Sequence, residues 1–333
     1  MARYNVAIVG ATGAVGQEFL KILTERKFPV NRLKLLATSR SAGKTINWQG
    51  QDYVVEETRP DSFAGIDIAL FAGGSASTEF AKDAVAHGAV VIDNSSAFRL
   101  NPDVPLVVPE VNPEDVKWHH GIIANPNCST IIMVVGLKPL HDAAKIKRVV
   151  VSTYQAVSGA GREGIEELET ETRLLSEGKT IEPRVFPYQI AANVIPRIDV
   201  FQEGDYTKEE WKMVKETQKI FHAPEMAITA TTVRVPVYRS HSESINIETE
   251  IKLSQAEAKS ILGKAPGVVV IDDPAADKYP MPLTAADTDE VYVGRIREDM
   301  SIAKGLNLWV VGDQIRKGAA TNAVQIAELV IRQ

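Results

Sequence analysis

One cysteine, Cys128, occurs among 333 residues, in the run Asn-Pro-Asn-Cys-Ser-Thr (125–130) directly ahead of the apolar stretch Ile131 to Val135. A single thiol cannot close an intrachain disulfide and is a poor start for a structural zinc site. It is either a buried small hydrophobe, as free cysteines often are, or a nucleophile. The neighbours favour the nucleophile. Pro126 ends the preceding segment and Asn127 is a good helix N-cap. The thiol then falls in the first turn of a helix, where free N–H groups and the helix dipole stabilise a thiolate. A thiolate is the form that attacks a carbonyl carbon.

Such a nucleophile needs a base or ion-pair partner. Among six histidines, His241 stands out in Arg239-Ser-His-Ser-Glu243, just after a strand-like segment. His87, His119, His120, His141 and His222 fall next to helix ends or in polar loops and carry no other signal. A lone histidine is more often structural or solvated, so the residues alone leave His241 open. Gln155 belongs to Tyr154-Gln-Ala-Val-Ser-Gly-Ala-Gly-Arg162, a small-residue loop between a strand and a helix. It is either a flexible glycine turn or a loop that carries a nicotinamide and positions a reacting carbonyl through Gln155.

A glycine triplet, Gly10-x-x-Gly13-x-x-Gly16, follows the buried-strand run Val6 to Val9 and precedes a helical stretch from Gln17 to Arg26. This is a spacing variant of the dinucleotide fingerprint, in which glycines let the backbone approach a pyrophosphate at a helix N-terminus. A plain tight turn is the competing reading. NAD-specific sites place an acid at the end of the second strand. Here Ala37-Thr38-Ser39-Arg40-Ser41-Ala-Gly-Lys44 offers hydroxyls and two cations but no carboxylate. That composition suits a 2′-phosphate and hence NADP; the alternative is a solvated basic turn.

The elements that must position these residues alternate in the first half. Strand-like runs Val6–Val9, Lys34–Ala37, Ile66–Phe71 and Ala89–Ile92 are interleaved with helices over 17–26 and 79–87. This predicts a Rossmann-like doubly wound parallel sheet, of α/β class. After about residue 145 the pattern changes. Arg148–Tyr154, Arg234–Tyr238, Ser244–Glu250, 268–271 and 307–311 read as strands, with exposed helices over 162–176 and 207–220. This predicts a second, α+β domain with a mainly antiparallel sheet. A final amphipathic helix, Gly318 to Arg332, fits either domain.

The bulk properties bound the rest. A length of 333 residues suits two domains; 44% hydrophobic and 24% charged residues are those of a soluble globular chain. A net charge of −6 without a basic run argues against nucleic acid. Broken, short apolar runs argue against a membrane span. The N-terminal segment lacks the regions of a signal peptide, so a reduced cytoplasmic location is expected.

Taken together, Gly-Ala-Thr-Gly-Ala-Val-Gly (10–16), Asp-Asn-Ser-Ser-Ala-Phe-Arg (93–99), Asn-Pro-Asn-Cys-Ser-Thr (125–130), Gln-Ala-Val-Ser-Gly-Ala-Gly (155–161), Arg-Val-Pro-Val (234–237) and His-Ser-Glu (241–243) resemble the aspartate-β-semialdehyde dehydrogenases, in order and at similar spacing over essentially the whole chain. The resemblance implies NADPH-dependent reduction of 4-aspartyl phosphate to L-aspartate 4-semialdehyde, a step towards lysine (through diaminopimelate), threonine, methionine and isoleucine. It implies Cys128 as nucleophile, His241 as acid/base and Gln155 orienting the acyl group. Arg99 and Lys212 correspond to the phosphate-binding pair, Arg234 to the carboxylate-binding arginine, Glu209 to the partner of the substrate ammonium, and Asn127 to a further substrate contact. Composition alone would leave Glu209 and Lys212 on a solvated helix face, which their spacing of three lets them share. The expected cofactor contacts are Gly10, Thr12, Gly13, Ala14, Val15, Gly16, Thr38, Ser39, Arg40, Ser41, Gly73, Ser158, Gly159 and Asn322. The resemblance also implies a homodimer. Its nucleotide domain would comprise 1–127 with 313–333, and its catalytic and dimerisation domain 128–312. Two alternatives stand beside it. One is an N-acetyl-γ-glutamyl-phosphate reductase, whose blocked substrate would leave Glu209 without a role. The other is a catalytically silent dinucleotide-binding protein, which has no reason to keep Cys128, Gln155 and His241 together.

Overall fold

A computed structural model describes residues 2–332. They form two compact units, one running to Asn127 and taking in the stretch from Ala319, the other spanning Cys128–Gly318.

The first unit contains β1 (Tyr4–Val9), α1 (Ala14–Glu25), β2 (Val30–Ala37), β3 (Thr45–Trp48), β4 (Gln51–Val54), β5 (Glu56–Glu57), β6 (Ile68–Phe71), α2 (Ala76–Ala86), β7 (Val90–Asp93) and β8 (Ile122–Ala124). Six strands make an all-parallel sheet in the order β5-β2-β1-β6-β7-β8. The chain runs outward from β1 in one direction and then in the other, so β1 and β6 flank the switch point where such sheets bind ligands. β1 shows why both faces must be covered. Val6 and Ile8 pack with Phe19, Ile22 and Leu23 of α1. Ala7 and Val9 alternate to the opposite face, with Ala81 and Ala84 of α2. A C-terminal helix, Thr321–Val330, adds Ala323, Val324, Ile326 and Ala327 to the α1 side. The hairpin β3–β4, absent from the sequence reading, turns through Gln49-Gly50 with both φ positive, the twist-matched two-residue turn.

The second unit contains α3 (Cys128–Ala144), β9 (Ile146–Gln155), α4 (Arg162–Ser176), α5 (Lys208–Ile220), β10 (Ala227–Arg234), β11 (His241–Thr249), α6 (Gln255–Leu262), β12 (Val268–Val270), β13 (Val291–Glu298) and β14 (Gly305–Gly312). Its sheet runs β10-β9-β11-β14-β13-β12, antiparallel across the central ladders and parallel at the β10 and β12 edges. α3 is apolar almost throughout and buried against this sheet. Gly312, ending β14, admits it: a Cβ there would come within 2.9 Å of Ile132 Cγ1. The strands alternate accordingly. Val149, Val151, Ile245, Ile247, Leu306 and Leu308 are buried, while Tyr154, Ser244, Arg295 and Arg297 are exposed.

Three expectations need correction. The strand expected at Arg234–Tyr238 lies earlier, at Ala227–Arg234, where β-branched residues alternate along the edge of the sheet. Pro236 has no N–H for a ladder, and Val237 instead accepts from Val157 N. The helices expected to be exposed do form, but α5 buries Met213, Val214 and Ile220 along with Glu209, Glu210 and Glu216. The chain re-enters the first unit at Ala319 rather than 313. Asp313 accounts for the difference: its buried carboxylate takes the N–H groups of Ile315 and Arg316, the Asp287 N–H and Arg239 Nε, all within the second unit.

Candidate active site

Cys128 is the first residue of α3, one position after Asn127, where the capping argument places it. Cys128 is in no disulfide and is partly accessible. A Cβ on Gly318 would sit 3.0 Å from Cys128 Cβ. Gly318 belongs to a π-helical turn, Arg316–Ala320, of the kind that often marks a functional site. The cysteine therefore has backbone rather than side chain packed against its flank.

His241 begins β11 and is fully buried. Its Nδ1 accepts the Ala156 N–H at 3.1 Å. In the neutral ring that bond leaves the proton on Nε2, which has no hydrogen-bond partner among the described residues. Burial, and then the positive charge of Arg234, push His241 well below the ordinary imidazole range, against a smaller opposing contact with the Ser240 backbone. The ring is a neutral donor at physiological pH.

Arg234 ends β10 and donates from Nη1 to Ala156 O at 2.6 Å. Its guanidinium lies over the Phe186 ring, 5.8 Å from the centroid. Burial lowers its pKa, opposed by attraction to Glu209 and to Cys128, so its positive charge is felt at the thiol. Gly159 marks the space between these groups. A Cβ there would lie 2.7 Å from Arg234 Nη1, 3.4 Å from His241 Cε1 and 3.5 Å from His241 Nε2. Loop 155–161 is thus not a loose glycine turn; its Ala156 amide and carbonyl hold the histidine and the arginine.

Gln155, 2% exposed, donates from Nε2 to Thr153 Oγ1 (3.2 Å) and Glu209 Oε1 (3.3 Å). Glu209 is 4% exposed, not solvated. Its Oε2 pairs with Lys212 Nζ at 2.9 Å, and Asp199 Oδ2 reaches the same ammonium at 3.1 Å. Burial pulls the Lys212 pKa down, but Glu209 and then Asp199 outweigh it, and the net shift is upward. The capping box Thr207–Glu210 starts α5 and directs Glu209 inward.

The first unit holds most of the other predicted residues. Gly10 has φ of +85°, and a Cβ on Gly16 would strike Gly10 O at 2.3 Å, so this turn and the β1–α1 approach require glycine. No side chain caps α1, and Gly13, Ala14 and Val15 form its exposed or half-exposed start. Gly73, φ +115°, follows β6 beside it. Thr12 Oγ1 bonds Ser41 Oγ at 3.3 Å, linking the glycine loop to the turn after β2, where Thr38, Ser39 and Arg40 are exposed. This cradle of glycines, uncapped helix and basic turn fits a dinucleotide with a 2′-phosphate. Arg99 is buried, with Nε on Asn125 O (2.9 Å) and Nη2 on Asn94 O (2.8 Å). Asn127 is 6% exposed. Asn322 is fully enclosed and donates to Val107 O and Asn125 Oδ1. In the second unit, the Ser158 hydroxyl is taken by Tyr238 O and Gln314 Nε2, and its carbonyl accepts the Gly161 N–H.

Four residues escaped the sequence reading. Asp199 and Gly318 carry no local signal, because Lys212 and Cys128 lie at a distance along the chain; Thr153 bonds Gln155, two residues on, but reads as an ordinary strand residue. Glu243 stood in the His-Ser-Glu motif without a role. It is fully buried, both carboxyl oxygens lack a partner among the described residues, and burial raises its pKa well above the ordinary range.

Comparison with known proteins agrees with this architecture. Residues 5–119 match the family model described as semialdehyde dehydrogenase, NAD binding domain, and residues 137–317 match semialdehyde dehydrogenase, dimerisation domain. An aspartate-semialdehyde dehydrogenase of Aquifex aeolicus is 59% identical over 335 residues, covering 99% of this chain and 98% of the relative. The crystal structure of aspartate semialdehyde dehydrogenase II complexed with ASA, from Vibrio cholerae, superposes with a TM-score of 0.97 at 48% identity, over 100% of this chain and 99% of that one. The Candida albicans enzyme, solved with NADP, superposes with a TM-score of 0.76 at 28% identity, over 99% of both chains.

Proposed function

The chain belongs to the aspartate-semialdehyde dehydrogenase family, and from that premise we propose how its own residues carry the reaction. The activity is NADPH-dependent reduction of L-4-aspartyl phosphate to L-aspartate 4-semialdehyde and phosphate, a step of amino-acid biosynthesis. Cys128 thiolate attacks the acyl carbon; the bond from that carbon to the bridging oxygen breaks, phosphate leaves with the electron pair, and a thioester remains. When bound, the dinucleotide supplies hydride to that carbonyl. His241 then donates a hydrogen bond from Nε2–H to the oxyanion, which re-forms the carbonyl as the C–S bond breaks and the aldehyde and thiolate separate. N–H groups at the start of α3 serve the same oxyanion.

Substrate recognition follows the charges. Arg234 takes the carboxylate, Glu209 the ammonium, and Lys212 the phosphoryl oxygens, a role Arg99 shares. Asn127 is a further substrate contact. Gln155, tied to Glu209 and Thr153, orients the acyl group. The glycine turn takes the pyrophosphate, Thr38, Ser39 and Arg40 the 2′-phosphate, and Ser158, Gly159, Gly73 and Asn322 lie along the rest of the cofactor. The enzyme works as a homodimer, for which the exposed outer face of β9, β11 and β13 offers the surface. Among the described residues no helix is long and apolar enough to cross a membrane; we place the enzyme in the cytoplasm.

One observation carries the mechanism. Arg234 charges the surroundings of Cys128 while the unpartnered Nε2 of His241 faces the same gap at Gly159. The test is phosphate-dependent reduction of NADP with two aldehydes. Turnover with L-aspartate 4-semialdehyde and none with N-acetyl-glutamate 5-semialdehyde supports the reading; the reverse preference identifies the sister reductase.

A further inference from the structure

Lys212 has two carboxylate partners, and they differ in kind. Glu209 sits one turn earlier on α5, with a side chain 6% exposed. Asp199 arrives from the irregular segment between α4 and α5, with a side chain 30% exposed. It is nonetheless placed with care. Its φ is +69°, a left-handed conformation that Asp and Asn tolerate better than other side chains. The Val200 N–H bonds Asp199 Oδ1 at 2.9 Å, and Arg197 Nε bonds Asp199 O at 3.1 Å. These contacts aim the other carboxylate oxygen, Oδ2, at Lys212 Nζ. Asp199 also lines a cavity of about 510 Å³ whose wall includes Phe186, Arg197 and Arg234. The second carboxylate therefore borders a cavity that Arg234 also lines.

The charge balance gives this placement a consequence. Lys212 with Glu209 is neutral, and adding Asp199 makes the trio net negative. A doubly charged phosphate must displace Asp199 from the ammonium or bind against its repulsion. We propose that Asp199 is a built-in competitor for phosphate at Lys212, a specificity-determining residue that holds the ammonium in the empty enzyme and weakens phosphate binding. The inference rests on the reading of Lys212 as the phosphate cation. Its use in the biosynthetic direction is release: phosphate is the first product, and a tethered carboxylate that reclaims Lys212 hastens its departure.

The variant to make is Asp199→Asn, which keeps an acceptor for Val200 N–H and suits the left-handed backbone while removing the charge. In the phosphorolytic direction, with semialdehyde and NADP saturating, its KM for inorganic phosphate should fall roughly two- to fivefold, the scale of a partly exposed ion pair. The KM for semialdehyde should not move. In the reductive direction, inhibition by added phosphate should strengthen by the same factor. An unchanged or raised phosphate KM, or a change confined to the semialdehyde, overturns the proposal. Lys212→Ala separates the two levels. If it raises the phosphate KM and Asp199→Asn does nothing, the competitor role alone fails. If it leaves the phosphate KM untouched, the assignment of Lys212 beneath it fails. In the double variant the Asp199 effect should vanish; a retained effect refutes competition for the lysine.

Discussion

Gly159→Ala puts one methyl group into the gap between Arg234 and His241. The backbone of Gly159 is not left-handed, so alanine meets no conformational strain there. The steric consequence is specific. The new carbon would lie 2.7 Å from Arg234 Nη1, when ordinary contact begins near 3.4 Å. His241 Cε1 and Nε2, at 3.4 and 3.5 Å, are already at that limit and need not shift. The guanidinium must retreat by several tenths of an ångström, against its 2.6 Å bond to Ala156 O. A displacement approaching 1 Å at a positioning group costs on the order of 10²-fold in rate. The expected loss in kcat/KM for the semialdehyde is therefore about 10- to 100-fold, or ~1.4–2.7 kcal/mol. It should be carried largely by KM if Arg234 holds the carboxylate. The assay is phosphate-dependent NADP reduction, with thermal unfolding as the control for folding. Because Gly159 is exposed, Tm should move little. A folded variant with wild-type kcat/KM would show that the gap is not where substrate sits.

Three further perturbations test separate parts. Burial favours the protonated form of Glu243 in the folded chain, while the unfolded chain loses the proton near 4.5, so Glu243 lowers stability as pH rises above that value. Glu243→Gln should thus be more stable than wild type at pH 8. Its advantage in urea unfolding should shrink by about 1.4 kcal/mol per unit as pH is lowered towards 4.5, over the range where the folded carboxyl stays protonated; an advantage independent of pH refutes the buried neutral acid. His241→Gln should lower kcat by about 10²–10⁴-fold without a comparable loss of stability, and near-normal kcat in a folded variant would leave the histidine structural. Arg40→Ala should raise the KM for NADPH by about 10-fold or more, with little effect on NADH; equal effects on both would remove Arg40 from the 2′-phosphate.

How much of this was legible in the sequence divides along local and remote causes. The start of α3 at Cys128 was readable because Pro126 and Asn127 act on adjacent residues. The β1–glycine–α1 unit was readable for the same reason, and the steric contact of a Cβ at Gly16 with Gly10 O is the physical content of the motif. β10 was misplaced because Arg-Val-Pro-Val looks like a strand when Pro236 is weighed too lightly against its neighbours. Glu209 and Lys212 looked solvated because nothing nearby reveals that α5 turns its acidic first turn inward against Gln155. Their roles came from resemblance alone. Asp199 was invisible: its importance depends on a left-handed backbone and on a lysine thirteen residues away. Glu243 looked like half of a motif and is a buried carboxyl without a partner among the described residues, a state that only the packed sheet creates.

The central claim is that Cys128 carries the acyl group, and trapping that species is the most direct measurement. Enzyme mixed with L-4-aspartyl phosphate in the absence of any nicotinamide cannot proceed past the thioester. Intact-protein mass spectrometry should then show one added aspartyl group per chain. Peptide mapping should place it on Cys128, hydroxylamine should remove it, and Cys128→Ala, still folded and still binding NADPH, should form none. An adduct on another residue, or turnover surviving in Cys128→Ala, would contradict the account.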